Sequence, residues 1–230
     1  MIRGALGSRY GISPLGRGVI RPASGGWWLS GGIAAANCIA AYQPKGAASY
    51  AASLVNLANP GTYDAFAGDA PTFDTSYGWL FNGVQDYLKT GVVPETDQSW
   101  SIIVSYYQTV LDYRAPLGVW STNELISILP YYIAGRCYWF SGGKSFVIYT
   151  ADYASGIVAI AGRNCYANGT LKGTMDAGTQ VGNTQDFYIG ANNVNGSPNL
   201  RFKGYIYSAA IYDTDISSSI SDLTTAMAAL

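Results

Sequence analysis

Hydrolysis of a glycosidic bond takes a pair of carboxyl groups, about 5–5.5 Å apart when the product keeps its configuration. The chain has only two glutamates, Glu95 and Glu124, in different predicted loops or strand ends. Asp213 and Asp215 form a closer pair, but they follow the last strand-like run, where an acid serves the N-terminus of the next helix. Histidine is absent, which removes His-based triads, most zinc sites and the commonest general base. There is no G-x-S-x-G turn, and a cysteine nucleophile would have no imidazole partner. Gly7, Gly11, Gly16 and Gly18 do not lie between a strand and a helix, so they do not read as a phosphate loop. The residues predict no catalytic group and no cofactor.

Aromatic side chains offer the remaining chemistry, because sugar rings stack on exposed aromatic faces. Trp120, Tyr131, Tyr132, Tyr138 and Trp139 cluster in the middle of the chain. Within Arg136-Cys-Tyr-Trp-Phe140 adjacent strand positions face opposite sides, so some of these rings must point away from the main core. Trp120, Tyr132, Tyr138 and Trp139 are therefore the candidate ligand-binding residues. Burial in the core and burial between subunits are the competing readings. The three cysteines, Cys38, Cys137 and Cys165, are odd in number, lack metal-like spacing and have apolar or aromatic flanks. They read as buried thiols.

The elements that must hold these residues are short strands. Asn168-Gly169 and Asn195-Gly196 sit between strand-like runs and suit type I′ turns, whose two central residues need positive φ. In the last apolar run, Leu200, Phe202 and Ile206 keep one phase while Ala209 and Ile211 continue in the other. A strand keeps one face only while its period of two is unbroken, so a bulge is predicted near Tyr207-Ser208. Trp100, Ile102, Val104 and Tyr106 alternate with Ser101, Ser105 and Tyr107, the pattern of a half-buried strand. Further strands are expected over 116–121, 125–133, 136–141 and 144–150, with another at Cys38–Tyr42. Ala47 to Leu54 reads as a short helix. Ser217 can cap a C-terminal helix in which Ile220, Leu223, Met227 and Leu230 recur at helical spacing. Many short strands with turns between them argue for an antiparallel sandwich or barrel.

These pieces also carry a resemblance. Leu80-Phe-Asn-Gly-Val-Gln-Asp-Tyr-Leu88, Trp100-Ser-Ile-Ile-Val104, Tyr166-Ala-Asn-Gly169, Tyr188-Ile-Gly190, Phe202-Lys-Gly204 and Ile211-Tyr-Asp213 follow one another as in laminin-G-type domains of the concanavalin A-like jelly rolls. The resemblance implies an all-β, antiparallel jelly-roll sandwich. It does not imply one function, since this fold hosts lectins, glycosidases and structural modules. Glycosidases of this fold carry E-x-D-x-x-E on one strand, and no segment here matches it. Relatives often hold Ca²⁺ near the first of these motifs and the last strand. Asp86 matches the first position, but Tyr207 and Ser208 stand where acids are usual, so no metal is expected. Asp86 reads instead as a turn residue bonding to backbone amides.

Residues 1–26 carry Arg3, Arg9, Arg17 and Arg21, no acids, and many glycines, which cannot build a core. They are expected to form an extended arm, with 27–230 as the jelly-roll domain. The apolar residues spaced along the arm favour docking on a neighbouring subunit over a solvated tail. The segment from Trp27 to Trp79 resembles the leading part of laminin-G-like proteins from phages. That resemblance implies a non-enzymatic structural protein on a virion surface, as capsid decoration or tail fibre, assembled as a homo-oligomer with other virion proteins. A lectin-like adhesin for host glycans is the alternative, and a glycoside hydrolase is disfavoured by the missing carboxylates. The net charge of −1 gives no reason to expect nucleic acid or an anionic membrane as partner. No apolar run is long enough to span a bilayer, and the first 26 residues are too interrupted for a secretory signal.

Overall fold

The computed structural model describes residues 25–95, 98–121, 124–132, 135–149, 153–178 and 184–230. The expected arm, with Arg3, Arg9, Arg17 and Arg21, lies almost entirely outside them. The chain opens with a 3₁₀ turn at Trp27–Leu29 and continues through β1 (Cys38–Tyr42), helix α1 (Tyr50–Ser53), β2 (Phe66–Asp69), β3 (Thr72–Asp74), β4 (Gly78–Asn82) and β5 (Tyr87–Lys89). Then come β6 (Ser101–Gln108), β7 (Leu117–Ser121), β8 (Glu124–Tyr132), β9 (Arg136–Ser141), β10 (Lys144–Ile148) and β11 (Ser155–Ala161). The chain closes with β12 (Asn164–Ala167), β13 (Thr170–Thr174), β14 (Tyr188–Ile189), β15 (Asn192–Val194), β16 (Ser197–Asn199), β17 (Lys203–Tyr212) and helix α2 (Ile220–Ala228).

The strands form two sheets, packed as a jelly-roll sandwich. The first runs β13-β12-β11-β6-β17-β4-β3, with β1 also on β17; the second runs β10-β9-β8-β7-β14-β5-β2, with β15 on β7 and β16 on β15. Pairing is antiparallel between named strands except for the short parallel match of β15 with β7. Both Asn-Gly turns form as expected. Asn168 and Gly169 have φ of 50° and 74° between β12 and β13, and Asn195 and Gly196 have 50° and 86° between β15 and β16.

The main core fills the space between the sheets, and β17 shows how its sequence pattern serves that core. Phe202 and Ile206 point inward, and so do Ala209 and Ile211. The change of phase is absorbed where pairing with β6 slips between Ile206 and Ser208. The bulge therefore sits where the broken period predicts it, and it leaves Tyr207 and Ser208 together on the outward side.

Strand β6 differs from expectation. Trp100, Ile102, Val104 and Tyr106 face the main core, but the opposite face is buried as well. There Ile103 joins Ala159, Ala210 and Tyr212 in a second apolar cluster under Trp27, Ile220, Leu223 and Met227. Helix α2 and the Trp27 turn cover this half of the sheet, so only Tyr107 of the strand is exposed. Ser217 does not cap α2 with its side chain. A 3₁₀ turn at Ser217–Ser219 precedes the helix, and Asp215 Oδ1 accepts from the Ser217 N–H at 2.8 Å. The aspartate thus makes an Asx turn ahead of the helix, which has no side-chain cap.

Candidate functional site

Beyond the edge of α2, the outer face of the first sheet carries a group of tyrosines. Phe202 and Ile206 point inward, so Lys203 and Tyr205 point out, and the bulge adds Tyr207 to the same side. Tyr107 of β6 pairs in register with Tyr205, and Tyr77 approaches from the turn before β4. The Tyr205 ring lies 5.5 Å from Tyr77, 6.4 Å from Tyr107 and 6.5 Å from Tyr207, centroid to centroid. Tyr77 and Tyr107 are 54% and 43% exposed, so the cluster is a surface platform and not a buried packing unit. The Tyr77 turn is held by Asp74, whose Oδ1 accepts from the N–H groups of Ser76 and Tyr77 at 2.7 and 3.1 Å.

Lys45 finishes one end of the platform. Its backbone N–H donates to the Tyr207 carbonyl at 3.3 Å, and its Nζ stands 5.6 Å from the centre of the Tyr207 ring. Burial, followed by the neighbouring phenols Tyr107, Tyr205 and Tyr77, raises the Tyr207 hydroxyl above its ordinary pKa. It therefore stays a neutral donor and acceptor at physiological pH.

Between this platform and α2 runs a groove of about 480 Å³. Tyr107 and Tyr207 form one wall, and Thr224 and Met227 of α2 the other. Ser105, Ser155 and Asn168 supply polar groups, and Lys45 is the only charged side chain among the lining residues. The Asn168 carboxamide is fixed by its Oδ1, which accepts from the Ile157 N–H at 2.9 Å. The Thr224 Oγ1 is buried without a hydrogen-bond partner, as is the Ser208 Oγ beside the platform. An apolar ring face flanked by hydroxyl, amide and ammonium groups offers stacking and hydrogen bonding side by side. The sequence signal for it was Tyr205-Ile-Tyr207, two rings in the outward phase of an otherwise inward-packing strand.

The residues singled out from sequence do not assemble into one site. Trp120 lies on the outer face of the second sheet and is 40% exposed. Tyr138 is half-buried on the same face of that sheet, stacked on Phe140 at 5.6 Å. Registers set Trp120 opposite Leu125 and Tyr138 opposite Leu129. That offset of two strands and four residues amounts to roughly 16 Å. Trp139 is a correction: its exposure is 0%, because the odd positions of β9 face the main core. Tyr132 ends β8 opposite Arg136, beyond a break in the pairing.

The acids and thiols have other roles. Asp86 accepts from the Asn82 backbone N–H and from its side-chain amide, each at 2.8 Å, the turn role expected of it. Burial raises its carboxyl above the usual range, the Asn82 backbone bond opposes this, and Asp69 adds to it. Glu95 and Asp213, distant in sequence, line one small pocket of about 230 Å³ with Tyr63 and Trp100. The three cysteines are free and buried, as their flanks predict. Among the described residues no group of histidine, cysteine or acidic side chains is arranged to hold a metal ion. No helix among them is long and apolar enough to cross a membrane.

No protein-family model matches the chain, and no curated protein matches it. Solved structures do. Domain 4 of AbnA, an extracellular arabinanase of Geobacillus stearothermophilus solved with arabinotriose, is 18% identical with a TM-score of 0.53; the match covers 82% of this chain and 98% of that one. A sialidase of Trypanosoma rangeli, solved with a difluorosialic acid, is 14% identical with a TM-score of 0.56, over 82% of this chain and 32% of the sialidase. A mutant of HCR/D is 12% identical with a TM-score of 0.54, over 85% of this chain and 52% of that one. The chain thus spans about half of HCR/D and a third of the sialidase. At these identities the likeness is one of fold, an all-β sandwich.

Proposed function

We propose that this protein is a non-catalytic glycan-binding module whose binding surface is the Tyr77–Tyr107–Tyr205–Tyr207 platform and the adjoining groove. The observation that carries the reading is a cluster in which Tyr77, Tyr107 and Tyr207 each contact the Tyr205 ring, with Tyr77 and Tyr107 exposed and Tyr205 and Tyr207 half-buried, beside a groove edged with hydroxyl and amide groups. Sugars offer an apolar ring face and a polar rim, and the platform answers both. The arabinanase domain of the same fold was solved with arabinotriose, so a sandwich of this kind has a precedent for holding a sugar chain. No carboxylate side chain lines the groove among the described residues, and hydrolysis there would lack its acid and base. Display on a particle surface rests on the arm and on resemblance alone, and takes second place to glycan recognition.

The test is a screen of the full chain against immobilised oligosaccharides, followed by calorimetry on each one bound. Binding is expected to be lost or strongly weakened in Tyr205→Ala. Absence of any glycan binding, or binding that Tyr205→Ala leaves unchanged, would overturn the assignment.

A further inference from the structure

We infer that the glycan held on this platform is acidic, carrying carboxylate or sulfate groups that pair with Lys45 and Lys203. This rests on the glycan-binding reading and adds the charge of the ligand to it. Both lysines belong to the outer face of the first sheet. Lys203 precedes Tyr205 by two residues on β17 and shares its outward phase, placing it roughly 7 Å along the row. Lys45 sits over the Tyr207 ring at the other end. The tyrosine row is thus bracketed by two ammonium groups.

Neither lysine takes part in an ion pair among the described residues. The one ion pair among the described residues joins Arg114 to Asp112. Asn82, the register partner of Lys203, holds the Asp86 carboxylate at 2.8 Å, and Asp74 lies farther along β3, opposite Gly78. The Asp74 carboxylate is turned to the amides of Ser76 and Tyr77, 2.7 and 3.1 Å away. The groove itself contributes hydroxyls, an amide and Lys45, with no acidic side chain. In a chain with only 13 basic residues and a net charge of −1, a face with two lysines outside any ion pair and with turn-bound acids attracts anions locally. A neutral sugar would leave both ammonium groups without a counter-charge, whereas an acidic one gains charge-assisted hydrogen bonds while its ring still stacks on tyrosine.

The experiment compares three probes on the full chain by calorimetry: a neutral gluco-oligosaccharide, an oligogalacturonide and a sulfated oligosaccharide of similar length. The expected result is preference for one or both acidic probes, weakened by added salt. The double variant Lys45→Met, Lys203→Met should lose roughly tenfold or more of that affinity, as expected when charge-assisted bonds go. Methionine keeps the apolar stems, and an unchanged melting temperature shows that the fold survives. The stronger of the two acidic probes identifies carboxylate or sulfate as the source. Equal or better binding of the neutral probe, or acidic binding that the double variant retains, overturns the inference and leaves glycan binding standing. Failure of all three probes overturns the inference, and if the wider screen is also blank the glycan-binding reading falls with it.

Discussion

The rings of Tyr205 and Tyr207 stand 6.5 Å apart with their planes only 11° from parallel. They are next-but-one neighbours on a strand, and the bulge immediately after Ile206 keeps both outward while Ala209 and Ile211 return to the core. If the ring face is what a sugar meets, the hydroxyl matters less than the ring. Tyr207→Phe should keep most of the affinity for a bound glycan, and Tyr207→Ala should lose about 1 kcal/mol or more of it. Calorimetry on the two variants checks this; equal losses would mean the hydroxyl carries the contact.

Gly204 underlies the platform from the backbone side. Its φ is 147°, and a Cβ there would come within 2.1 Å of the Tyr107 carbonyl oxygen. Neither the backbone conformation nor the space accepts a side chain, and β17 would have to leave β6. Gly204→Ala should cost about 3 kcal/mol or more in urea unfolding. A cost below about 1 kcal/mol would show that the strand pair yields easily.

Ser53 ties α1 to the main core. Its Oγ accepts from the Trp79 Nε1–H at 2.8 Å and donates to the Tyr50 carbonyl at 2.6 Å, and both side chains are buried. Ser53→Ala leaves the indole N–H without a partner and should cost about 1–3 kcal/mol. Chemical denaturation followed by tryptophan fluorescence measures the loss, and a neutral result would require another acceptor to reach Trp79.

The buried thiols set the alkaline limit of stability. Burial pushes Cys38 and Cys165 from 9.0 up to about 12. Burial, with Asp186 and Tyr87 adding to it, raises Tyr188 from 10.0 to about 12. Above the unfolded values the unfolded chain gives up protons that the folded chain keeps, so it binds fewer and is favoured as pH rises. Stability should show no contribution from these groups below about pH 9 and fall progressively from there toward 12. Melting temperatures across that range check the slope. At mildly alkaline pH a thiol reagent should label the folded protein slowly and all three cysteines once it is unfolded.

The pocket that Glu95 shares with Asp213 is where hydrolysis would most readily reside, and we expect none. Incubation with the glycans that bind should release no reducing sugar. Turnover abolished by Glu95→Gln or Asp213→Asn would reverse the non-catalytic assignment.

Much of the fold was written in local pattern. The period of two in Trp100–Tyr106, the Asn-Gly pairs with their tolerance of positive φ, and the phase change across Tyr207-Ser208 each depend on neighbours a few residues away. They were legible without coordinates for that reason. The apolar spacing of Ile220, Leu223 and Met227 likewise announced α2. What the helix covers did not show, because the burial of Ile103 and Ser105 depends on α2 and other elements far away in the chain. The same holds for the site. Alternation says that Tyr138 and Trp139 face opposite ways but not which way is in. The structure turned Trp139 to the core and left Trp120 and Tyr138 apart on the second sheet. Tyr77, Tyr107 and Tyr205 meet only because β4 and β6 flank β17, and Lys45 reaches Tyr207 only through a backbone bond across the fold. Composition and spacing determined an all-β sandwich or barrel without histidine and with only two glutamates, and the resemblance pointed to the sandwich. Sheet order, which joins residues far apart in the chain, decided where its aromatic surface lies.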